Sequence, residues 1–150
     1  MKRLVQLGLL LCGLTLVATS VADSPDNSKA TQPAKQKVVY HVSESGKVRF
    51  VLNNINNHID GVGGPEQVEI VVVVNGEGHN GFIKTKASQE VATDVELLEV
   101  QGVRFEICGY SLDAYGTSVQ DLVGNFKRLE QGGVARMVEL QQQGFAYLRP

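Results

Sequence analysis

The run Val68-Glu69-Ile70-Val71-Val72-Val73-Val74 constrains this chain more than any other stretch. Apart from Glu69 it is entirely β-branched and apolar, so from Ile70 onward there is no polar face to turn toward water. A strand of that kind is stable only when covered on both sides, which is the pattern of a central strand in a parallel sheet. A parallel neighbour in turn demands a crossover connection, usually a helix, so helical periodicity should flank the run.

It does. Lys37 to Val42 is short and β-branched, and Ser43-Glu44-Ser45-Gly46 closes it with turn and capping residues. Val48, Val51, Leu52, Ile55 and Ile59 then recur at three- and four-residue spacing until Gly61-Val62-Gly63-Gly64-Pro65 stops the helix. After the Val-rich strand comes the loop Asn75 to Gly81, and a second amphipathic helix carries Val91, Val95 and Leu98 and closes at Gly102. Val103 to Ile107 alternates and ends at Cys108. A short helical stretch follows, Ser118 to Asp121 reads as a capping box, and Phe126 to Leu129 as a weak strand. Val134, Met137, Val138 and Gln141 trace a last helix before a terminal strand at Phe145 to Leu148. Five strands and four helices alternating over about 110 residues predict an α/β fold, an open and mainly parallel five-stranded sheet with helices on both faces.

The amino terminus is of another kind. Lys2 and Arg3 precede an apolar stretch from Leu4 to Ala18, and Ser20-Val21-Ala22 offers small residues for cleavage, so residues 1–22 read as a signal peptide. The stretch is shorter than the roughly 20 apolar residues a spanning helix needs, and no stop-transfer charges follow. The expected mature chain is periplasmic or secreted, with no stable membrane anchor. Residues 23–36 are rich in Ser, Pro, Lys, Gln, Asn and Asp and read as a disordered spacer, leaving 37–150 as the folded domain. A formal charge of −2 and a pI near 5.9 provide no basic face for a phosphate backbone, so nucleic acid is not an expected partner.

In open α/β sheets the site lies at the carboxyl ends of the strands, which makes neighbours of Ser43–Gly46, Asn75–Gly81, Cys108–Ser111 and Glu130–Gly133. Cys108 is the most suggestive residue among them. A thiol at a strand end just before a helix faces the positive end of the helix dipole, which favours thiolate. Cys12 leaves with the leader, so Cys108 has no intramolecular disulfide partner. The alternative is that Cys108 is a small buried hydrophobe. His79, in a glycine-rich loop, is either an acid, base or polar contact or a solvated bystander. His41 reads as a packed, hydrogen-bonded residue and His58 as a surface or interface residue. Three histidines without carboxylates or thiols at ligand spacing predict no metal. Gly76 to Gly81 spells G-x-G-x-x-G, but it follows the second strand and Phe82 to Lys86 delays the next helix, so no dinucleotide or other cofactor is expected.

Together, Val38-Val39-Tyr40-His41-Val42, Leu52 to His58, Val103 to Cys108, and Gly133 to Pro150 with its Leu140-Gln141-Gln142-Gln143-Gly144-Phe145-Ala146-Tyr147-Leu148-Arg149-Pro150 ending resemble the DsrE/DsrF-like family, in particular its exported single-domain members. The resemblance implies a flavodoxin-like sheet and homo-oligomers such as trimers or hexamers. In sulfur-relay members it implies a cysteine after the third strand that carries a persulfide. Cys108 matches that cysteine, and Gly116 matches a glycine that often follows it. Where relay members carry basic residues just before that glycine, this chain has Ala114 and Tyr115. The function so implied is a sulfur carrier with weak sulfurtransferase character. In it Cys108 takes sulfur from a donor protein and passes it to an acceptor. Gly109, Tyr110 and Ser111 would cradle the sulfur, with Ser43, Gly76, Gly78 and His79 as accessory contacts. The alternative is a small-ligand or protein-binding module with a structural cysteine, for which Asn53, Asn56, Asn57 and His58 provide an amide-rich patch suited to a wet interface.

Overall fold

The computed structural model describes residues 34–150; the leader at 1–22 and the spacer up to residue 33 lie outside the described residues. The elements are β1 (Gln36–Val42), α1 (Val48–Gly61), β2 (Val68–Val74), α2 (Gln89–Val100), β3 (Arg104–Cys108), α3 (Gly109–Tyr115), β4 (Phe126–Leu129), α4 (Gly133–Gln142) and β5 (Ala146–Leu148). The expected alternation of strand and helix is present. The strands form one sheet in the order β4-β3-β2-β1-β5, and every pair in it is parallel rather than mainly so.

That order explains the layering. The chain steps from β1 to β4 in one direction with α1 and α2 on the same face, then α4 carries it back across the other face to place β5 beside β1. The result is an α/β sheet of the flavodoxin-like class. On the α1/α2 face, Val38, Tyr40, Val42, Ile70, Val72, Val74, Phe105 and Ile107 meet Val51, Leu52, Ile55, Val95 and Leu98 from the helices. A smaller core, Val39, Val71, Val73, Leu129, Met137, Leu140 and Phe145, lies under α4. Val68 to Val74 serves both, because alternate residues of a strand point to opposite faces.

Three local features differ from the sequence reading. In α4, Val134 and Val138 face out at 66% and 49% exposure, while Met137 and Leu140 with Gly133 form the buried side. The Ser118–Asp121 capping box is present, but it closes a single 3₁₀ turn. His58 is half-buried: its Nδ1 accepts from the hydroxyl of buried Tyr40 at 3.0 Å while Nε2 pairs with Gln36 Oε1 at 2.9 Å. That contact satisfies a hydroxyl inside the core, a need that the helical period of α1 does not reveal.

Candidate functional site

The loops after β2, β3 and β4 meet at Cys108, while the loop after β1 packs on the one after β2. The thiol is the last residue of β3 and the N-cap of α3, and its side chain points to the α4 face, where its residue is 8% exposed. Burial pushes its pKa up, but that is more than offset by the backbone N–H of Gly133, the hydroxyl and N–H of Ser111, and the N–H of Tyr110. The net pKa lies below that of an ordinary thiol. These donors come from the first turns of α3 and α4, so two helix starts converge on one sulfur.

Each donor is itself held. Ser111 Oγ accepts the Gly76 N–H at 2.8 Å, which leaves its own hydroxyl proton available to the sulfur. Gly76 is thus a support for the loop after β3. Gly132, the N-cap of α4, has φ +86° and ψ 159°, a region that side chains rarely enter, and a Cβ there would lie 3.0 Å from the Tyr110 ring. A Cβ on Gly133 would sit 3.4 Å from Cys108 Cβ and from Asn75 Cβ, so the Gly132-Gly133 pair lets α4 start against the thiol.

Below Cys108 on the same face of β3 lies Glu106, 2% exposed, which accepts from Arg136 of α4 through both carboxylate oxygens: Nε to Oε2 at 2.7 Å and Nη2 to Oε1 at 3.1 Å. This fork hydrogen bond raises the Arg136 pKa and keeps the guanidinium charged. Further along the face, His41 pairs Nε2 with Asn75 Oδ1 at 2.9 Å and Nδ1 with the Tyr147 hydroxyl at 2.7 Å. Among the described residues no buried side-chain nitrogen or oxygen lacks a partner.

The remaining candidates lie elsewhere. His79 is 1% exposed; its Nδ1 donates to the Gly76 carbonyl at 2.8 Å and its ring packs 4.5 Å from that of Tyr115, at the far end of α3 from the thiol. Gly78 is committed to packing, because a Cβ there would come within 2.6 Å of the Val42 carbonyl oxygen. Ser43 Oγ accepts from Arg149 at 2.9 Å. Tyr110 is two-thirds exposed and lies over Gly132. Gly109 is buried with the Arg128 guanidinium against it. That arginine is paired to Asp113 at 2.7 Å and Glu130 at 2.9 Å, which holds the Asp113 carboxyl below the usual carboxylate range. A cation therefore approaches the backbone after Cys108 from β4, although Ala114 and Tyr115 of α3 bring none.

Sequence reasoning placed the loop Glu130–Gly133 at the site without singling out Gly132 or Gly133, and missed Glu106 and Arg136. The double glycine opening α4 was a usable signal, since two glycines at a helix start mark a close approach of backbone.

Solved structures similar to this chain include two whose alignments span nearly their whole length. MTH1491, a protein of unknown function from Methanobacterium thermoautotrophicum, is 32% identical with a TM-score of 0.66, the alignment covering 77% of this chain and 99% of that one. The ychN protein from E. coli shares the fold at 12% identity and a TM-score of 0.56, again over 77% of this chain and 99% of that one. No curated protein sequence matches. The family model named DsrE/DsrF-like matches residues 36–150, which spans every strand and helix described above, and the chain belongs to that family.

Proposed function

We propose that this protein is a sulfur carrier that holds a persulfide on Cys108. One observation carries the reading: Cys108 caps α3 with the Gly132-Gly133 start of α4 packed against it, and hydrogen bonding from the backbone of Gly133, Ser111 and Tyr110 and from the Ser111 side chain lowers its pKa, which favours an anionic sulfur. With thiosulfate as donor, the Cys108 thiolate attacks the sulfane sulfur. A new S–S bond forms, the bond to the sulfonate breaks, and sulfite leaves with the electron pair. Once the terminal sulfur is protonated, an acceptor thiolate attacks it. The Cys108 S–S bond then breaks and its electron pair returns to Sγ, so the cycle needs no external oxidant or reductant.

Carriage fits better than rapid turnover. His79 is engaged with Gly76 and Tyr115, and among the described residues no imidazole or carboxylate is paired with the thiol as a general base. In this reading the mature chain works outside the cytoplasm, as a homo-oligomer, exchanging sulfur with donor and acceptor proteins.

The test is the intact mass of the protein after incubation with thiosulfate, polysulfide or glutathione persulfide. A gain of about 32 Da per sulfur, removed by reductant and absent from Cys108→Ser, is expected. Folded protein that gains no sulfur, with a thiol that resists alkylation until denatured, would establish Cys108 as structural and leave the binding-module reading. The near-complete burial of Cys108 is the observation that favours that alternative.

A further inference from the structure

We propose that Glu106 and Arg136 are positioning residues for the Cys108 site: their buried fork fixes the start of α4 over the sulfur. The proposal rests on Cys108 being the working thiol. The geometry is that of a two-rung ladder between β3 and α4. One rail is β3, in which Glu106 and Cys108 are two residues apart on the same face, about 6.6 Å along the strand. The other rail is α4, in which Gly133 and Arg136 are three residues apart, about 4.5 Å along the axis. The upper rung is the start of α4 against Cys108, where a Cβ on Gly133 would lie 3.4 Å from Cys108 Cβ and one on Gly132 3.9 Å from Sγ, close enough for the Gly133 backbone to hydrogen-bond the sulfur. The lower rung is the two-oxygen contact of Glu106 with Arg136, at 2.7 and 3.1 Å.

The upper rung alone does not define its own length. A backbone N–H to sulfur is a weak contact, Gly132 before it has no side-chain cap, and the apolar core under α4 is small. The lower rung is directional, because a guanidinium meeting a carboxylate through two parallel bonds fixes angle as well as distance. A third contact, Arg136 Nη1 to Glu139 Oε2 at 3.3 Å on the same helix, holds the arginine in that rotamer. Nothing about stability requires a buried ion pair here, since apolar residues of similar volume commonly serve as well or better. Its directional character is what an apolar replacement lacks.

The experiment reads the rate of Cys108 alkylation by iodoacetamide against pH, in the full chain, with folding checked by near-ultraviolet circular dichroism. The double variant Glu106→Leu with Arg136→Met removes the fork without changing net charge. The expected result is a folded protein whose alkylation midpoint moves up, with a roughly tenfold lower rate at neutral pH. Glu106→Gln keeps volume and one acceptor, and separates position from charge. It removes the buried counter-charge of Arg136 and leaves only the more exposed Glu139, so a through-space field alone would make the thiol more reactive, whereas loosened positioning makes it several-fold less so. An unchanged or faster rate in either folded variant overturns the proposal. Alkylation uses no sulfur donor, so the two ideas fail separately. A wild-type thiol with a low midpoint that takes up no sulfur removes the carrier reading alone, and variants that match wild type remove the positioning role alone.

Discussion

The two faces of the sheet are built from alternate residues of the same strands, yet they have taken on different tasks. The α1/α2 face presents Tyr40, Val72, Phe105 and Phe126 in one register row, and the Tyr40 hydroxyl in its core is closed off by His58. The α4 face presents His41, Val73, Glu106 and Lys127 in the adjacent row, with Cys108 one step beyond. The first face is large, dry and aromatic; the second has a small apolar core surrounded by paired polar groups. Chemistry at a strand end needs directed donors, and directed donors need polar partners, which a dry face cannot accommodate without loss. Separating the two tasks by strand parity lets one chain keep a stable core within a few ångströms of a perturbed thiol.

The largest effect that would break this comparison is expected on the dry face. Phe105 is 2% exposed and packs with Phe82 and Phe126 at ring-centroid distances of 6.3 and 5.4 Å. Phe105→Ala should cost about 4 kcal/mol in urea or guanidinium unfolding, and Met137→Ala under α4 about 2 kcal/mol. Equal losses would mean that the α4 face contributes as much to stability as the aromatic one, and the division of tasks would fall.

The same division explains what could be read from the sequence. The α1/α2 face was legible because its helices place ordinary apolar residues at helical spacing: Val48, Val51, Leu52, Ile55 and Ile59 are all buried. On the other face the inward stripe of α4 is Gly133, Arg136, Met137 and Leu140, a proper helical repeat hidden by a glycine and a charge. Val134 and Val138 offered a more apolar stripe and drew the reading to the wrong side. Glu106 is hidden in the same way, since alternation in Arg104-Phe105-Glu106-Ile107 suggests a solvent-facing carboxylate, and only the partner on α4 makes burial tolerable. Cys108 was found because strand ends in open sheets are where sites lie. The same rule brought the Glu130–Gly133 loop beside it but does not say which atom of that loop meets the sulfur, since Gly133 lies 25 residues further along the chain and its contact depends on where α4 begins.

A smaller effect is expected at Gly132. Its backbone lies in a region nearly reserved for glycine, so Gly132→Ala should cost about 2 kcal/mol. The Tyr110 ring beside it is exposed and free to swing outward, which makes backbone strain rather than contact the main cost. The strain relaxes by moving the start of α4, so the alkylation midpoint of Cys108 should rise in the same variant. A loss of stability with an unmoved midpoint would separate the glycine from the thiol and weaken the link between the α4 start and the site.

The smallest effect is a slope. The folded-state pKa of Cys108 lies below that of a free thiol, so the native state binds the thiol proton less well than the unfolded chain does. The stabilisation this brings is fully present above the unfolded pKa and is lost as pH falls through the folded one. The difference in unfolding free energy between wild type and Cys108→Ser should therefore grow in favour of wild type as pH rises through that interval, and flatten on either side. Serine keeps nearly the same shape and does not ionise there, so the other titrating groups cancel in the subtraction. A flat difference would mean that the donors from α3 and α4 only balance the cost of burial. The α4 face would then hold a neutral thiol, and its polar groups would have to be explained as packing.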